Sequence, residues 1–260
     1  MTQPDLMAAE RQSAILDRIR KDGRVLASEL ATEFDTSEDT IRRALRDLAA
    51  KGHCKRVYGG ALAIAPASGP LAARSTEAVD RKAALGAAVA ALIKERQFVY
   101  IDGGTTNLAV ARMIPEKLEI TVATQDPAIG AVLATRQDVT LIMIGGQVKP
   151  HLGSAVGVEA TRQMMNLRPD LLILGICALD ARVGTGAFDA EDAAFKQLLV
   201  KNSRYTVTGA LNEKLGTTSP FQICPINAIE TLVVEHNAPR EATKPFTASG
   251  VHIRKARPAR

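Results

Sequence analysis

The stretch S-E-D-T-I-R-R-A-L-R-D-L-A-A-K-G-H-C-K-R-V-Y-G-G-A-L-A, residues 37–63, decides how the N-terminal part of the chain folds. Ser37 is a favoured N-cap residue, and Glu38 and Asp39 follow it in a first turn where the helix dipole favours acids. Ile41, Leu45 and Leu48 then recur at i, i+4 and i+7, which predicts a helix with one apolar stripe turned toward a core. Thr40, Arg42, Arg43 and Arg46 fall on the opposite face. Beyond the helix, His53 to Ala63 is a short alternating stretch through Arg56, Val57 and Tyr58 that turns on Gly59-Gly60. It reads as a wing whose glycines let backbone lie close to phosphate.

Upstream, Glu10 to Lys21 places Ile15, Leu16 and Ile19 at helical spacing and stops at Asp22-Gly23. Ser28 stands where it can cap a second helix with Leu30, Ala31 and Phe34 inward, and Asp35-Thr36-Ser37 is a polar turn. Two helices, a tight turn and an arginine-faced third helix form the arrangement that sets a recognition helix in the major groove. A three-helix protein-interaction module with merely solvated arginines is the alternative. The basic glycine wing directly after the helix weighs against it.

Charge is distributed in the same sense. The chain of 260 residues has a net charge of +5. The span from Thr40 to Arg56 holds Arg42, Arg43, Arg46, Lys51, Lys55 and Arg56 against Asp47 alone, and Arg240 to Arg260 is a second basic block against Glu241 alone. Everything between and before them is acidic on balance, which leaves two zones attractive to a polyanion. With 46% hydrophobic and 23% charged residues there is core enough for two units and no sign of wholesale disorder. The 3 cysteines and 4 histidines are scattered, so neither a disulfide framework nor a metal site is expected, and no cofactor is. The longest apolar run, Ala83 to Ile93, is far short of the roughly 18 residues of a bilayer span, and no secretory signal is legible at the start, so the expected location is the cytoplasm without a membrane partner.

A composition of prolines, glycine and small residues between Ala61 and Ser75 suits a linker. After it, an alanine-rich helix from Arg81 to Lys94 leads into the buried-strand signal Phe98-Val99-Tyr100-Ile101, then Asp102-Gly103-Gly104-Thr105-Thr106 and a second helical pattern. Strand, glycine turn, threonines and helix make a phosphate cradle, in which helix N–H groups and hydroxyls face an anion. A structural helix cap would look similar. Four further strand signals, Ile120 to Ala123, Val139 to Ile144, Leu171 to Leu174 and Thr231 to Val234, alternate with helical stretches. The expected architecture is a mostly parallel α/β sheet with ligands beyond the carboxyl ends of its strands. The loops to inspect are therefore Asp102 to Thr106, Thr124-Gln125-Asp126, Gly145-Gly146 with Lys149, and Gly175 to Asp180, with Lys196 on a helix beginning near Asp189, and Lys214, adding charge.

These residues resemble the DeoR-type bacterial transcriptional repressors. The resemblance runs from about Glu10 to Glu235 and rests on E-L-A at Glu29 to Ala31, S-x-x-T-I-R-R at Ser37 to Arg43, K-R-x-x-G-G-A at Lys55 to Ala61, and D-x-G-T-T at Asp102 to Thr106. The paired glycines Gly145-Gly146 and the acidic-helix lysine Lys196 also match. Ala44 stands where most members carry aspartate, Tyr58 where they carry histidine, and Gly175-Ile176-Cys177-Ala178 replaces the usual G-A-D-G, which removes a carboxylate able to hold a sugar hydroxyl. The Gly-Ile-Cys run and Phe188-Asp189 look more like the glycerol-3-phosphate-responsive branch.

The resemblance implies an N-terminal winged helix-turn-helix over 1–63, a linker over 64–78 and a ribose-5-phosphate-isomerase-like α/β effector domain over 79–237. A basic disordered tail over 238–260 is expected from its prolines and cations, adding salt-sensitive attraction to DNA. Double-stranded operator DNA would meet Ser37, Thr40, Arg42, Arg43, Arg46, Arg56 and Tyr58. A small phosphorylated sugar or polyol would meet Asp102 to Thr106, Thr124, Gln125, Gly145, Gly146, Lys149, Gly175, Asp189, Lys196 and Lys214. The chain would act as a homo-oligomeric repressor and not as an enzyme. A sugar-phosphate isomerase with an appended DNA-binding unit, or a nonspecific DNA-binding protein, are the rival readings.

Overall fold

Ser37 starts the arginine-faced helix: its Oγ accepts the Thr40 N–H at 3.2 Å while its own backbone stays extended. The computed structural model describes residues 8–22, 24–51, 53–64 and 71–258. Helices α1 (Ala8–Asp22), α2 (Ala27–Glu33) and α3 (Glu38–Ala50), with strand β1 (Arg24–Leu26) between the first two, pack around Ile15, Ile19, Leu30, Ile41, Leu45 and Leu48. Ser28 lies inside α2 and does not cap it. Leu26 holds the cap position without a side-chain hydrogen bond, because β1 runs straight into the helix.

Strands β2 (Cys54–Val57) and β3 (Gly60–Ile64) form the antiparallel wing. Its turn is Tyr58-Gly59, and Gly59 takes a φ of +79 that favours glycine. The second glycine has a different task. A Cβ on Gly60 would lie 2.0 Å from the Val25 carbonyl oxygen, so glycine is what lets β3 close on β1. Of the expected linker, residues 65–70 lie outside the described residues, and from Leu71 the chain is helical as α4 (Leu71–Thr76).

The second unit runs α5 (Val79–Ala90), β4 (Phe98–Ile101), α6 (Thr105–Arg112), β5 (Ile120–Thr124), α7 (Pro127–Leu133) and β6 (Val139–Met143). A ribbon of β7 (Val148–Lys149) and β8 (Ser154–Ala155) precedes α8 (Val158–Met164) and β9 (Leu171–Leu174). Then come β10 (Ala178–Asp180), β11 (Gly184–Ala187), α9 (Ala190–Asn202), β12 (Tyr205–Ala210), β13 (Thr217–Thr218), β14 (Phe221–Cys224), β15 (Thr231–Val234), α10 (Arg240–Ala248) and β16 (His252–Lys255).

Seven strands form one sheet in the order β16-β15-β12-β9-β4-β5-β6, parallel throughout. Both faces are covered, one by a core with Tyr100, Leu172, Phe195 and Leu232, the other by one with Leu85, Val99, Ile101 and Ile173. That double burial is why Leu171–Leu174 reads as a continuous apolar run. From β4 the chain grows the sheet in one direction through β5 and β6, then returns to grow the other through β9, β12, β15 and β16. The crevice at such a reversal, beyond the carboxyl ends of β4 and β9, is where open α/β sheets take ligands.

The expectation of a disordered tail is corrected by α10 and β16. β16 is the edge strand of the main sheet, registered on β15 from Thr231↔His252 to Val234↔Lys255. Phe246 and Val251 are buried and anchor the segment. These two apolar residues, set among cations and around Pro245, are too sparse to show a period, yet they seat the helix because the sheet supplies the surface they cover. The basic residues Arg240, Lys244, Arg254 and Lys255 remain exposed on an ordered element.

Candidate functional site

Burial of Ile41, Ala44, Leu45 and Leu48 fixes the rotation of α3 about its axis. Arg42, Arg43 and Arg46 are therefore exposed together, beside Ser37 and the half-buried Thr40, whose hydroxyls lie 2.9 Å apart. Arg42 is paired with Glu38 one turn back, whereas Arg43 and Arg46 make no ion pair among the described residues. On the wing Lys55 and Arg56 are exposed, and the Tyr58 ring stands fully in solvent at the tip. The phenol at the end of this two-residue turn packs against nothing else among the described residues.

At the reversal of the sheet lies a cavity of about 1020 Å³. It is lined by Gly103 to Asn107 after β4, Gly175 to Cys177 after β9, Phe188, Asp189, Asp192 and Lys196 around the start of α9, and Lys214. The first turn of α6 leaves N–H groups without an intrahelical acceptor, and the hydroxyls of Thr105 and Thr106 have no partner among the described residues. Gly104 before them has a φ of +129, open to glycine alone.

Beneath this floor is Asp102, fully buried. One carboxylate oxygen accepts the Gly103 N–H at 2.8 Å and Gln125 Nε2 at 2.6 Å; the other accepts the Gly175 N–H at 2.8 Å and faces Lys196 Nζ at 2.9 Å. Lys196 also donates to the Gly175 carbonyl at 2.8 Å and approaches Asp192 at 3.5 Å. Burial by itself would lower the Lys196 ammonium, but the Asp102 and Asp192 carboxylates hold it above its usual range. Burial pushes the Asp192 carboxyl up, against the pull of Lys196. One aspartate and one lysine thus lock the ends of β4 and β9 together.

The remaining expected residues are placed around this lock. Thr124 and Gln125 are buried outside the cavity lining, and Gln125 accepts the Tyr100 hydroxyl at 2.9 Å, so it orients Asp102 from behind. Asp126 caps α7 and takes the Gly104 N–H at 3.2 Å, its carboxyl pushed up by burial. Gly145 and Gly146 do not line the cavity; the Gly145 N–H is given to Gln163 at 2.9 Å. Lys149 does not line the cavity either; it pairs with Asp189 at 3.3 Å and Glu191 at 2.6 Å.

Sequence reasoning missed Arg74, Lys82, His151 and Ser154, all on the cavity wall. Arg74 and Lys82 come from α4 and α5, whose sequences carry no ligand pattern, and only the folded chain brings them to the strand ends. Ser154 has one legible trace, since a Cβ on Gly103 would lie 2.0 Å from its Oγ. Lys214 donates to the Ile176 carbonyl at 2.7 Å, and burial, with repulsion from Lys196, Arg74 and Lys82, lowers its ammonium to about 8.

Residues 77–236 match the DeoR C terminal sensor domain, and residues 11–67 the DeoR-like helix-turn-helix domain. Similar chains include the HTH-type transcriptional regulator GlpR of Haloferax volcanii, 28% identical over 95% of this chain and 98% of that one. The glycerol-3-phosphate regulon repressor of Escherichia coli is 26% identical over 94% and 97%. Among solved structures, the sorbitol operon regulator SorC of Klebsiella pneumoniae aligns with a TM-score of 0.35 at 11% identity, over 80% of this chain and 90% of that one. Ribose 5 phosphate isomerase A of Neisseria gonorrhoeae aligns with a TM-score of 0.37 at 14% identity, over 54% and 53%. No helix among the described residues is long and apolar enough to cross a membrane. With a winged helix-turn-helix before a sensor domain on a parallel sheet, and both family models matched in order, the chain belongs to the DeoR family of DNA-binding transcriptional regulators.

Proposed function

We propose that the chain represses genes of carbohydrate or polyol catabolism in the cytoplasm, as a homo-oligomer on double-stranded operator DNA, and that a small phosphorylated metabolite in the cavity sets its operator affinity. Arg42, Arg43 and Arg46 read or grip the DNA from α3, with Ser37 and Thr40 at its first turn and Arg56 and Tyr58 on the wing. The metabolite's phosphate rests on the first turn of α6. Self-association is supported by β6, an open sheet edge with Met143 and the nearby Val148 exposed, and paired recognition helices would match paired half-sites.

One observation carries the coupling of the two sites. β13 pairs in parallel with the wing strand, Thr217↔Ala63 and Thr218↔Ile64. β13 begins three residues after Lys214, which lines the cavity. It continues the same edge of β3 that β1 occupies through Gly60 to Leu62, while β2 with Arg56 lies on the other edge. A ligand that draws Lys214 inward therefore pulls on the strand that carries the wing. It changes operator affinity only as far as its affinities for the DNA-competent and DNA-incompetent forms differ.

The test is a T105V/T106V variant, which removes two hydroxyls and keeps the branched shape. Phosphorylated sugars and polyols, glycerol 3-phosphate among them, are first screened for a rise in thermal stability of the parent protein. The variant is expected to bind operator as the parent does and to bind the compound found by the screen about a hundredfold more weakly, from two lost hydrogen bonds to a charged group at about 1.5 kcal/mol each. Operator release at the parent's ligand concentration would place the phosphate elsewhere and leave the turn as a helix cap.

A further inference from the structure

Two lysines on the cavity wall make no ion pair among the described residues. Lys196 is held by Asp102 and Asp192. Asp189 faces Lys149 at 3.3 Å and His151 at 3.1 Å, Glu213 meets Arg81 at 2.6 Å, and Glu77 is exposed at the mouth. Lys82 is buried, yet its ammonium donates to the carbonyls of Arg74 and Glu77 and to no carboxylate. Lys214 donates to the Ile176 carbonyl alone. Cys177, within electrostatic reach of Lys196 and Lys214, presents a thiol to them and not a carboxylate. Arg74 stands on the same wall and donates to the His151 carbonyl at 3.0 Å.

Lys82 and Lys214 are drawn out of water without a direct ion-pair partner among the described residues, which is costly, and the cost is recovered when a ligand brings the charge. The unpartnered hydroxyls of Thr105 and Thr106 belong to a different element, so the cavity offers two separate anion-binding features, and its volume admits a ligand that spans them. Accepting the cavity as the effector site, we infer that the effector is a phosphorylated polyhydroxy acid. Its phosphate lies at the first turn of α6 and its carboxylate, at the far end of a short carbon chain, is held by Lys214, Lys82 and Arg74. Lys82 keeps one N–H and Lys214 two beyond those given to carbonyls, enough to reach both oxygens of a carboxylate. The grip has a consequence for the DNA unit. Arg74 is on the helix that follows the wing strand and Lys214 precedes β13, so a carboxylate would be held by two segments flanking β3.

Matched pairs test this on the full chain by calorimetric titration: 3-phospho-D-glycerate against the glycerol phosphate of the same configuration, sn-glycerol 1-phosphate, and 6-phosphogluconate against sorbitol 6-phosphate. Within each pair only a carboxylate replaces a hydroxymethyl group. Fructose 1,6-bisphosphate is the third arm. The acid of at least one pair is expected to bind about tenfold or more tighter than its alcohol. Lys214→Met, and independently Arg74→Gln, should each weaken the acid about tenfold more than its alcohol, removing most of that advantage, and leave the thermal midpoint of the free protein in place. Alcohols that bind as tightly as their acids, an acid preference that survives both variants, or a bisphosphate that outcompetes both acids would overturn the inference. Silence toward both acids at millimolar concentration would overturn it as well. The effector reading has its own separate failure, a protein whose operator affinity no phosphorylated compound alters.

Discussion

Replacing Arg42 and Arg43 together by alanine is expected to lower operator affinity by about 2–6 kcal/mol, at about 1–3 kcal/mol for each good arginine contact. Both side chains are exposed and neither belongs to the buried stripe of α3. Their removal should therefore leave stability within about 0.5 kcal/mol, because the exposed Arg42–Glu38 pair one helical turn apart contributes only about 0.3–0.5 kcal/mol. The measurement is fluorescence anisotropy on a duplex that the protein itself selects from a randomised library, repeated over a range of salt. An arginine on a base edge shows as relaxed preference at one position. An arginine on phosphate shows as a uniform loss and a salt slope smaller by about 1. Unchanged affinity in the double variant would take the recognition face off α3.

The second large effect is on stability. Lys196→Met is expected to destabilise the chain by about 3–5 kcal/mol at neutral pH, since it strands buried carboxylates that one ammonium now serves. Asp102 keeps its hydrogen bonds from Gly103, Gly175 and Gln125. Asp192 does not fare as well: its carboxyl, already pushed up by burial, loses the cation that draws it down. In the variant its folded-state pKa then lies further above the unfolded value, so the folded state binds the proton more tightly and the deficit shrinks as pH falls from 7 toward 5. Urea unfolding at both pH values checks the size and the sign. A loss below about 1 kcal/mol at pH 7 would mean that Lys196 is a surface partner and not the lock between β4 and β9.

What the sequence makes legible here is what local chemistry settles. Ser37 with Ile41, Leu45 and Leu48 defines α3 because cap and stripe are written within a few turns. Phe98–Ile101, Leu171–Leu174 and Thr231–Val234 are read to the residue because a parallel strand buried on both faces is a plain apolar run. Tyr205–Ala210, the strand between β9 and β15, escapes because Thr206, Thr208 and Gly209 break that run, although Thr208 is buried with its hydroxyl on the Leu174 carbonyl. The antiparallel sheet of β10, β11 and β14 also escapes, because A-L-D, G-T-G-A and F-Q-I-C are too short and mixed to show a period and their pairing is decided at a distance. In the cavity, the loop Asp102 to Thr106 announces itself through glycines and threonines. Lys82 and Arg74 do not, because an ordinary lysine and arginine on helices acquire their place only when α4 and α5 fold over the strand ends. The pairing of β13 with β3 joins residues more than 150 positions apart and has no local signature.

The central claim is that cavity and operator are linked, and linkage has a strict thermodynamic form. If a phosphorylated ligand changes operator affinity by some factor, operator DNA must change the ligand's affinity by the same factor. Both legs are measured on the same protein, operator titrations at zero and saturating ligand by anisotropy, and ligand titrations of free and operator-bound protein by calorimetry. Equal factors of about 5–150 are expected, and at a ligand concentration about tenfold above the parent's Kd the T105V/T106V variant should keep most of its operator affinity, because its ligand affinity is about a hundredfold weaker. A ligand that binds the cavity tightly while operator affinity stays the same would contradict it, and would leave the pairing of β13 with the wing as a structural contact only.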